Sequence, residues 1–254
     1  MIADERRNKI CELLKLQSAV TTVSLAERFG VSIETIRKDL LMLEREHKLT
    51  RAHGGAVLPA AARPYTKLSK RMEDKLEEKY EISRIATKFI KNGDIIALDT
   101  GSTAVEFIEV LMERFDELTI VTHSMDVFKA ACNYKNFNII LCGGFFLKNE
   151  NSFYGDFVYS MMENIHVSKV FIFPAALSLK NGICDSYQEL GGVQKKMFGM
   201  GDEIFIVADS SKYEKSALIK VSAMNDCYTY ISDSKLPEEV KEIYINNNIK
   251  IVTD

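Results

Sequence analysis

From Asp94 onward, short apolar runs alternate with segments of helical periodicity, and that alternation narrows the fold more than any other feature of the chain. The runs are "DIIAL", "LTIVT", "FNIILC", "KVFIF", "EIFIV", "CYTYIS" and "IKIV", with helices expected between them over 103–114, 124–132, 155–164, 186–199 and 237–246. A strand followed by a helix and another strand pairs in parallel, because the helix supplies the chain needed to return to the starting edge. The prediction is an α/β domain over 79–254 with a mostly parallel, doubly wound sheet. Ligands of such sheets gather outside the carboxyl ends of the strands, so the residues just past each run are the ones to inspect.

The first 58 residues follow another pattern. "DERRNKICELLKL" places Ile10, Leu13 and Leu14 at helical spacing. Ser24 with Glu27 three residues on fits a capping box that opens a short helix ending at Phe29, where Gly30 supplies a stop. Ser32 then caps a longer helix with Ile36, Leu40 and Leu43 on one stripe. Two helices joined at "FGVS" make a helix-turn-helix, and the extended runs around Gly54-Gly55 in "KLTRAHGGAVL" add a hairpin wing. The expectation is a small α+β winged helix-turn-helix domain over 1–58. Pro59 and Pro64 open a linker and connecting helix over 59–78. The run "KRMEDKLEEKYE" is expected as a solvated helix face, in a segment placed to carry movement between domains.

Charge and cysteines exclude several classes. The net charge of −3 conceals +2 over residues 1–57 and −5 over the rest, so a partner of high negative charge is expected at the first domain. Five scattered cysteines without a C-x-x-C pair, and four dispersed histidines, imply neither a disulfide framework nor a metal site. No cofactor is expected. No apolar run reaches the roughly 18 residues of a membrane span, and "MIADERRNKICELLKL" lacks the apolar block of an export signal, so a cytoplasmic protein is expected.

A recognition helix needs polar side chains on its first turns, facing base edges and phosphates. "SIETIRKDL" offers Ser32, Glu34, Thr35, Arg37 and Lys38 there, while Val31, Ile33, Ile36 and Leu40 are expected to pack inward. Arg51 and His53 on the wing complete the candidate DNA contacts. In the second domain, "DTGSTAVEF" follows the first strand: Gly101 permits a tight turn, and amides at the next helix start with Ser102 and Thr103 suit an anion such as phosphate. Plain N-capping by the same hydroxyls is the competing account. Other strand ends add Thr122, His123 and Ser124, then Gly143 and Gly144, then Asp209 to Lys212 in "ADSSK". Lys212 would pair with phosphate and Asp99 would accept hydrogens from sugar hydroxyls. Convergent polar groups at strand ends describe a ligand site.

The stretch "VSIETIRKDLLMLEREHKLTRAHGGAV" resembles the signature of the DeoR family of bacterial transcription regulators, V-S-x-x-T-I-R-x-D-L followed by R-x-H-G-G-A, and the resemblance extends through the C-terminal domain. It implies a winged helix-turn-helix followed by a phosphosugar sensor with a ribose-5-phosphate-isomerase-like fold. It also assigns the effector to the same strand ends: Asp99, Gly101, Ser102 and Thr103, Thr122 to Ser124, Gly143-Gly144 and Lys212. Two departures stand out. His123 replaces the family's usual Asn, and "FPAALS" lacks the glycines common after that strand.

The expected function is a repressor of sugar-metabolism genes whose affinity for a double-stranded operator changes when a phosphorylated sugar binds. Paired half-sites imply a homo-oligomer. The alternative is a phosphosugar isomerase-like enzyme with a DNA-binding module. Isomerisation needs a general base beside the reacting carbon and stabilisation of the developing oxyanion. The isomerase's acidic D-G-A-D-E segment and its glycine-rich segment ending in lysine are both missing, so no catalytic residue is assigned.

Overall fold

A computed structural model describes residues 3–17, 19–46, 48–52, 54–57 and 68–254. The chain divides into two compact units, and residues 68–78, expected within the linker and connecting helix, group with the second.

The first unit runs α1 (Ala3–Gln17), β1 (Ala19–Thr21), α2 (Thr22–Phe29), α3 (Ile33–Arg45), β2 (Thr50–Ala52) and β3 (Gly55–Val57), with the strands in the antiparallel order β1-β3-β2. The expected hairpin is therefore the outer part of a three-stranded sheet. Ile10 and Leu14 of α1, Leu25 of α2, and Ile36, Leu40 and Leu43 of α3 fill the core. Arg6 and Asp39, both buried, form an ion pair at 2.6 Å that ties α1 to α3. The helix-turn-helix differs from expectation at one cap. α2 starts at Thr22 because Thr21, not Ser24, is its N-cap, its hydroxyl accepting from the Ser24 amide. Ser32 caps α3 as the pattern requires, and Gly30 ends α2 in a left-handed conformation.

The second unit begins with α4 (Leu68–Glu73) and α5 (Leu76–Thr87), then alternates β4 (Ile95–Leu98), α6 (Ser102–Arg114), β5 (Leu118–Thr122), α7 (Met125–Ala131) and β6 (Phe137–Leu141). A hairpin, β7 (Phe145–Leu147) and β8 (Ser152–Tyr154), precedes α8 (Asp156–Glu163) and β9 (Val167–Ile172). There follow β10 (Ala176–Ser178), β11 (Gly182–Asp185), α9 (Gln188–Met197), β12 (Gly201–Val207), β13 (Ile219–Ser222), β14 (Thr229–Ile231), α10 (Glu238–Ile245) and β15 (Lys250–Val252). Seven strands form one parallel sheet in the order β15-β14-β12-β9-β4-β5-β6, which is the doubly wound arrangement the alternation predicts. The side-chain period of two sends successive residues to opposite faces, both buried. Ile96, Leu98, Phe171 and Phe205 meet α5, α6 and α7 through Ile82, Phe107 and Val127, while Ala97, Val170, Ile172 and Ile206 meet Val158, Val193 and Tyr244 of α8, α9 and α10. α4 and α5 are separated by a two-residue break at Asp74-Lys75, where Lys75 takes φ 57°.

Candidate functional site

In the first unit, α3 and the wing frame a groove whose lining includes Glu34, Arg37, Lys38, Arg51, Gly54 and Gly55. The Ser32 hydroxyl accepts from the Thr35 amide at 3.1 Å and lies 2.9 Å from the Thr35 hydroxyl, which fixes the first turn. Arg37 and Glu34 approach to 3.6 Å, but both are mostly exposed, and such a pair is screened too well to hold the guanidinium. The Arg51 amide donates to Glu44 Oε1 at 3.0 Å, fastening the wing to α3. His53 lies outside the described residues. Ile33, expected to pack inward, is 43% exposed, because it occupies the first helical position, ahead of the buried stripe. The two glycines of the wing have separate reasons. Gly54 takes φ 78° and its carbonyl accepts from the amide and hydroxyl of Thr22, while a Cβ on Gly55 would stand 2.1 Å from the Val20 carbonyl oxygen.

In the second unit, a pocket of about 210 Å³ opens at the carboxyl ends of β4, β9 and β12. It sits where β4 and β9 lie side by side and the strand order reverses, the place a doubly wound sheet holds ligands. Gly101, Ser102 and Thr103 line it after β4, Phe173 and Pro174 after β9, and Asp209, Ser211 and Lys212 after β12. Arg71 of α4, Lys79 of α5 and Asp74 with Lys75 in the joint between them complete the lining.

At "DTGSTAVEF" the structure shows no capping by Ser102 or Thr103. α6 begins at Ser102, its N-cap is Gly101 with φ 124°, and no side chain caps it. Its first amides are thus left to a ligand or water, and they point where the helix dipole favours negative charge. Lys212 is half-buried; burial lowers its pKa, and among the described residues no group hydrogen-bonds its ammonium. Lys79 is 3% exposed, its pKa also lowered by burial, and its Nζ donates to the carbonyls of Arg71 and, at 2.6 Å, Asp74. Arg71 pairs with the buried Glu150 at 2.5 Å. Four cations against Asp74 and Asp209 give the pocket a positive balance.

Other candidates stand behind the pocket. Asp99, expected to accept sugar hydroxyls, is wholly buried with three donors or proton-sharing partners. Oδ2 accepts from the Phe173 amide at 3.2 Å and Gln194 Nε2 at 2.9 Å, and Oδ1 meets His123 Nε2 at 3.0 Å. His123 Nδ1 faces the Phe153 carbonyl at 2.8 Å, so it carries a hydrogen, and one further proton lies between Nε2 and Asp99. Gln194 Nε2 also donates to Asp185 Oδ2 at 2.9 Å; burial, then the charge of Asp99, pushes the Asp185 carboxyl up to about 7. Thr122 accepts from the Ser124 amide at 3.1 Å, and Ser124 caps α7 by accepting from the Val127 amide at 3.3 Å. Gly143 and Gly144 lie outside the pocket lining; Gly144 packs against the β7–β8 hairpin, where a Cβ would be 2.6 Å from the Tyr154 carbonyl oxygen. The pocket therefore gathers Gly101, Ser102, Thr103 and Lys212, with Asp99, Thr122, His123 and Ser124 as buried support. The run expected as a solvated face supplies Arg71, Lys75 and Lys79. Among the described residues no cluster suited to a metal ion occurs.

The combination of a winged helix-turn-helix and a doubly wound domain with a pocket at its strand ends is that of a ligand-responsive DNA-binding regulator. Residues 6–61 match the DeoR-like helix-turn-helix domain and residues 74–234 the DeoR C terminal sensor domain; the chain belongs to the DeoR family. Its relatives include an uncharacterized HTH-type transcriptional regulator, YulB, of Bacillus subtilis, 34% identical over 96% of this chain and 94% of that protein. The HTH-type transcriptional repressor GlcR of the same organism is 30% identical over 94% and 91%. The glycerol-3-phosphate regulon repressor of Escherichia coli is 26% identical over 97% of each chain. A ribose 5-phosphate isomerase A from Methanocaldococcus jannaschii superposes with TM-score 0.39 at 18% identity over 53% of each chain. The chain is a transcriptional regulator, and the enzyme alternative falls with that assignment.

Proposed function

We propose that this regulator is a cytoplasmic homo-oligomeric repressor of sugar-metabolism genes, released from a double-stranded operator when a phosphorylated sugar fills the pocket of the second unit. The observation that carries the reading is the uncapped start of α6 facing the unpartnered ammonium of Lys212, a pair of features that together suit a phosphate dianion. Ser102 and Thr103 would hold phosphate oxygens, and Asp99 with His123 would keep the loop after β4 in place. Ser32, Glu34, Thr35, Arg37, Lys38 and Arg51 would meet DNA. The names of relatives favour repression, with GlcR and the glycerol-3-phosphate regulon repressor on that side and the L-fucose operon activator of Haemophilus influenzae on the other.

The test is a panel of sugar phosphates scored for thermal shift, operator affinity and turnover on purified protein. A binder of the folded state raises the melting temperature. The reading requires at least one sugar phosphate that raises it, weakens operator binding and is recovered unchanged. A panel without binders would sink it, and a converted sugar would restore the enzyme.

A further inference from the structure

Three observations meet at Lys79. It lines the anion pocket; its ammonium is nearly inaccessible; and two of its three hydrogens end on the carbonyls of Arg71 and Asp74, at the end of α4 and in the joint that follows. α4 is the first described element after residues 58–67, which link the second unit to the first. The joint itself is held in an uncommon conformation, with Lys75 at φ 57° in the two-residue break. One cation thus touches both the ligand position and the carbonyls that end the helix leading to the DNA-binding unit.

Without a ligand the pocket crowds Arg71, Lys75, Lys79 and Lys212 around the carboxylates of Asp74 and Asp209. Glu150 neutralises Arg71, Lys75 stands 4.0 Å from Glu78, and Glu106 and Asp209 also act on Lys79 from α6 and from the loop after β12. Arg71 and Lys75 thus have carboxylate partners, while the Lys79 ammonium is held by two carbonyls and keeps one hydrogen toward the pocket. An anion seated on the first amides of α6 accepts that third hydrogen of Lys79. We infer that Lys79 is the coupling residue of the sensor: an anion in the pocket locks the α4–α5 joint through it, and ligand occupancy passes to α4 and onward to the DNA-binding unit. This rests on the pocket reading above.

A ligand transmits only as much as it distinguishes two arrangements, so the consequence to measure is a change in opening of the joint. Amide hydrogen exchange of the full chain, with and without saturating inorganic phosphate, reads two places separately: residues 102–104 at the pocket floor and residues 68–79 at the joint. In the parent protein phosphate slows both, the joint by about fivefold or more, the lower end of ordinary coupling. Lys79→Met, which keeps the stem and removes the ammonium, binds phosphate more weakly; titrated with phosphate until 102–104 are protected as in the parent, it leaves 68–79 unchanged.

Parent protein in which phosphate protects 102–104 but not 68–79 overturns the inference whether or not the variant folds. A variant that keeps joint protection removes Lys79 from the coupling. Parent protein protected at neither place refutes the pocket reading itself, which is a different failure.

Discussion

Replacing Lys212 by methionine deletes one ammonium and keeps an unbranched stem of nearly equal length, so the two states of the pocket respond in opposite directions. In the ligand-free protein the ammonium is half-buried without a hydrogen-bond partner among the described residues, and burial lowers its pKa. A lysine with a lowered folded-state pKa holds its proton less tightly folded than unfolded, so its charge subtracts stability at neutral pH. The deficit closes as pH rises through the lowered value toward the unfolded value near 10.4. Lys212→Met is therefore expected to be at least as stable as the parent near pH 7, and the gap should narrow in alkaline buffer. With phosphate bound, the same ammonium makes a charge-assisted hydrogen bond worth about 1.5 to 3 kcal/mol. Its loss raises the dissociation constant for a sugar phosphate by about 10- to 150-fold. Calorimetric titration and thermal melts, each with and without ligand, measure both quantities. A variant that melts lower than the parent without ligand, or binds as tightly, would refute the account of an ammonium kept for a ligand at the expense of the fold.

Arg37→Ala should weaken operator binding by about 1 to 3 kcal/mol if the guanidinium reads a base, with folding stability changed by less than about 0.5 kcal/mol because its contact with Glu34 is exposed; filter binding with chemical denaturation checks both. Asp185→Asn should flatten the pH dependence of stability. The parent carboxyl titrates at about 7 in the folded state against 3.8, so the parent loses stability as pH rises from about 4 to 7, and between pH 5 and 8 it should lose about 2 to 3 kcal/mol that the variant keeps; parallel urea-unfolding curves would contradict this. Gly144→Ala, whose methyl would lie 2.6 Å from the Tyr154 carbonyl oxygen, should cost about 1 to 3 kcal/mol, whereas Gly143→Ala enters open space and should cost little; equal melting temperatures would show that the hairpin yields.

The sheet was legible in the sequence because each of its strands is buried on both faces or bounded by turn residues, and each helix between them carries a periodic stripe. The strands β7, β8, β10, β11 and β13 were not, because they stand outside the strand–helix alternation and pair only in small antiparallel sheets, and Phe145 and Phe146 of β7 are exposed besides. At Ser24 the local pattern fits a capping box, but the antiparallel pairing of β1 with β3 brings Thr21 and Gly55 together, and α2 starts one turn earlier with Thr21 as its cap. Lys79 was hidden for a stronger reason. Nothing in "KRMEDKLEEKYE" distinguishes it from its neighbours, since its burial comes from the packing of α5 on α6 and from the loop after β12, which arrives more than a hundred residues later.

The helix starts at neighbouring strand ends differ in which residue stands at the cap. Ser124 caps α7, and Asp209 caps the short turn at Ser210–Lys212 by accepting from the Ser211 amide, so both positions already hold an oxygen where a ligand oxygen would go. At α6 the cap is Gly101, whose φ of 124° disfavours any residue with a Cβ, including each of the usual capping residues. The nearby buried acids point away from that position: Asp99 is occupied by His123, Phe173 and Gln194, and Asp185 by Gln194 and the amides of Ser186 and Tyr187. A base needs a lone pair directed at the substrate. Theirs are directed at the protein.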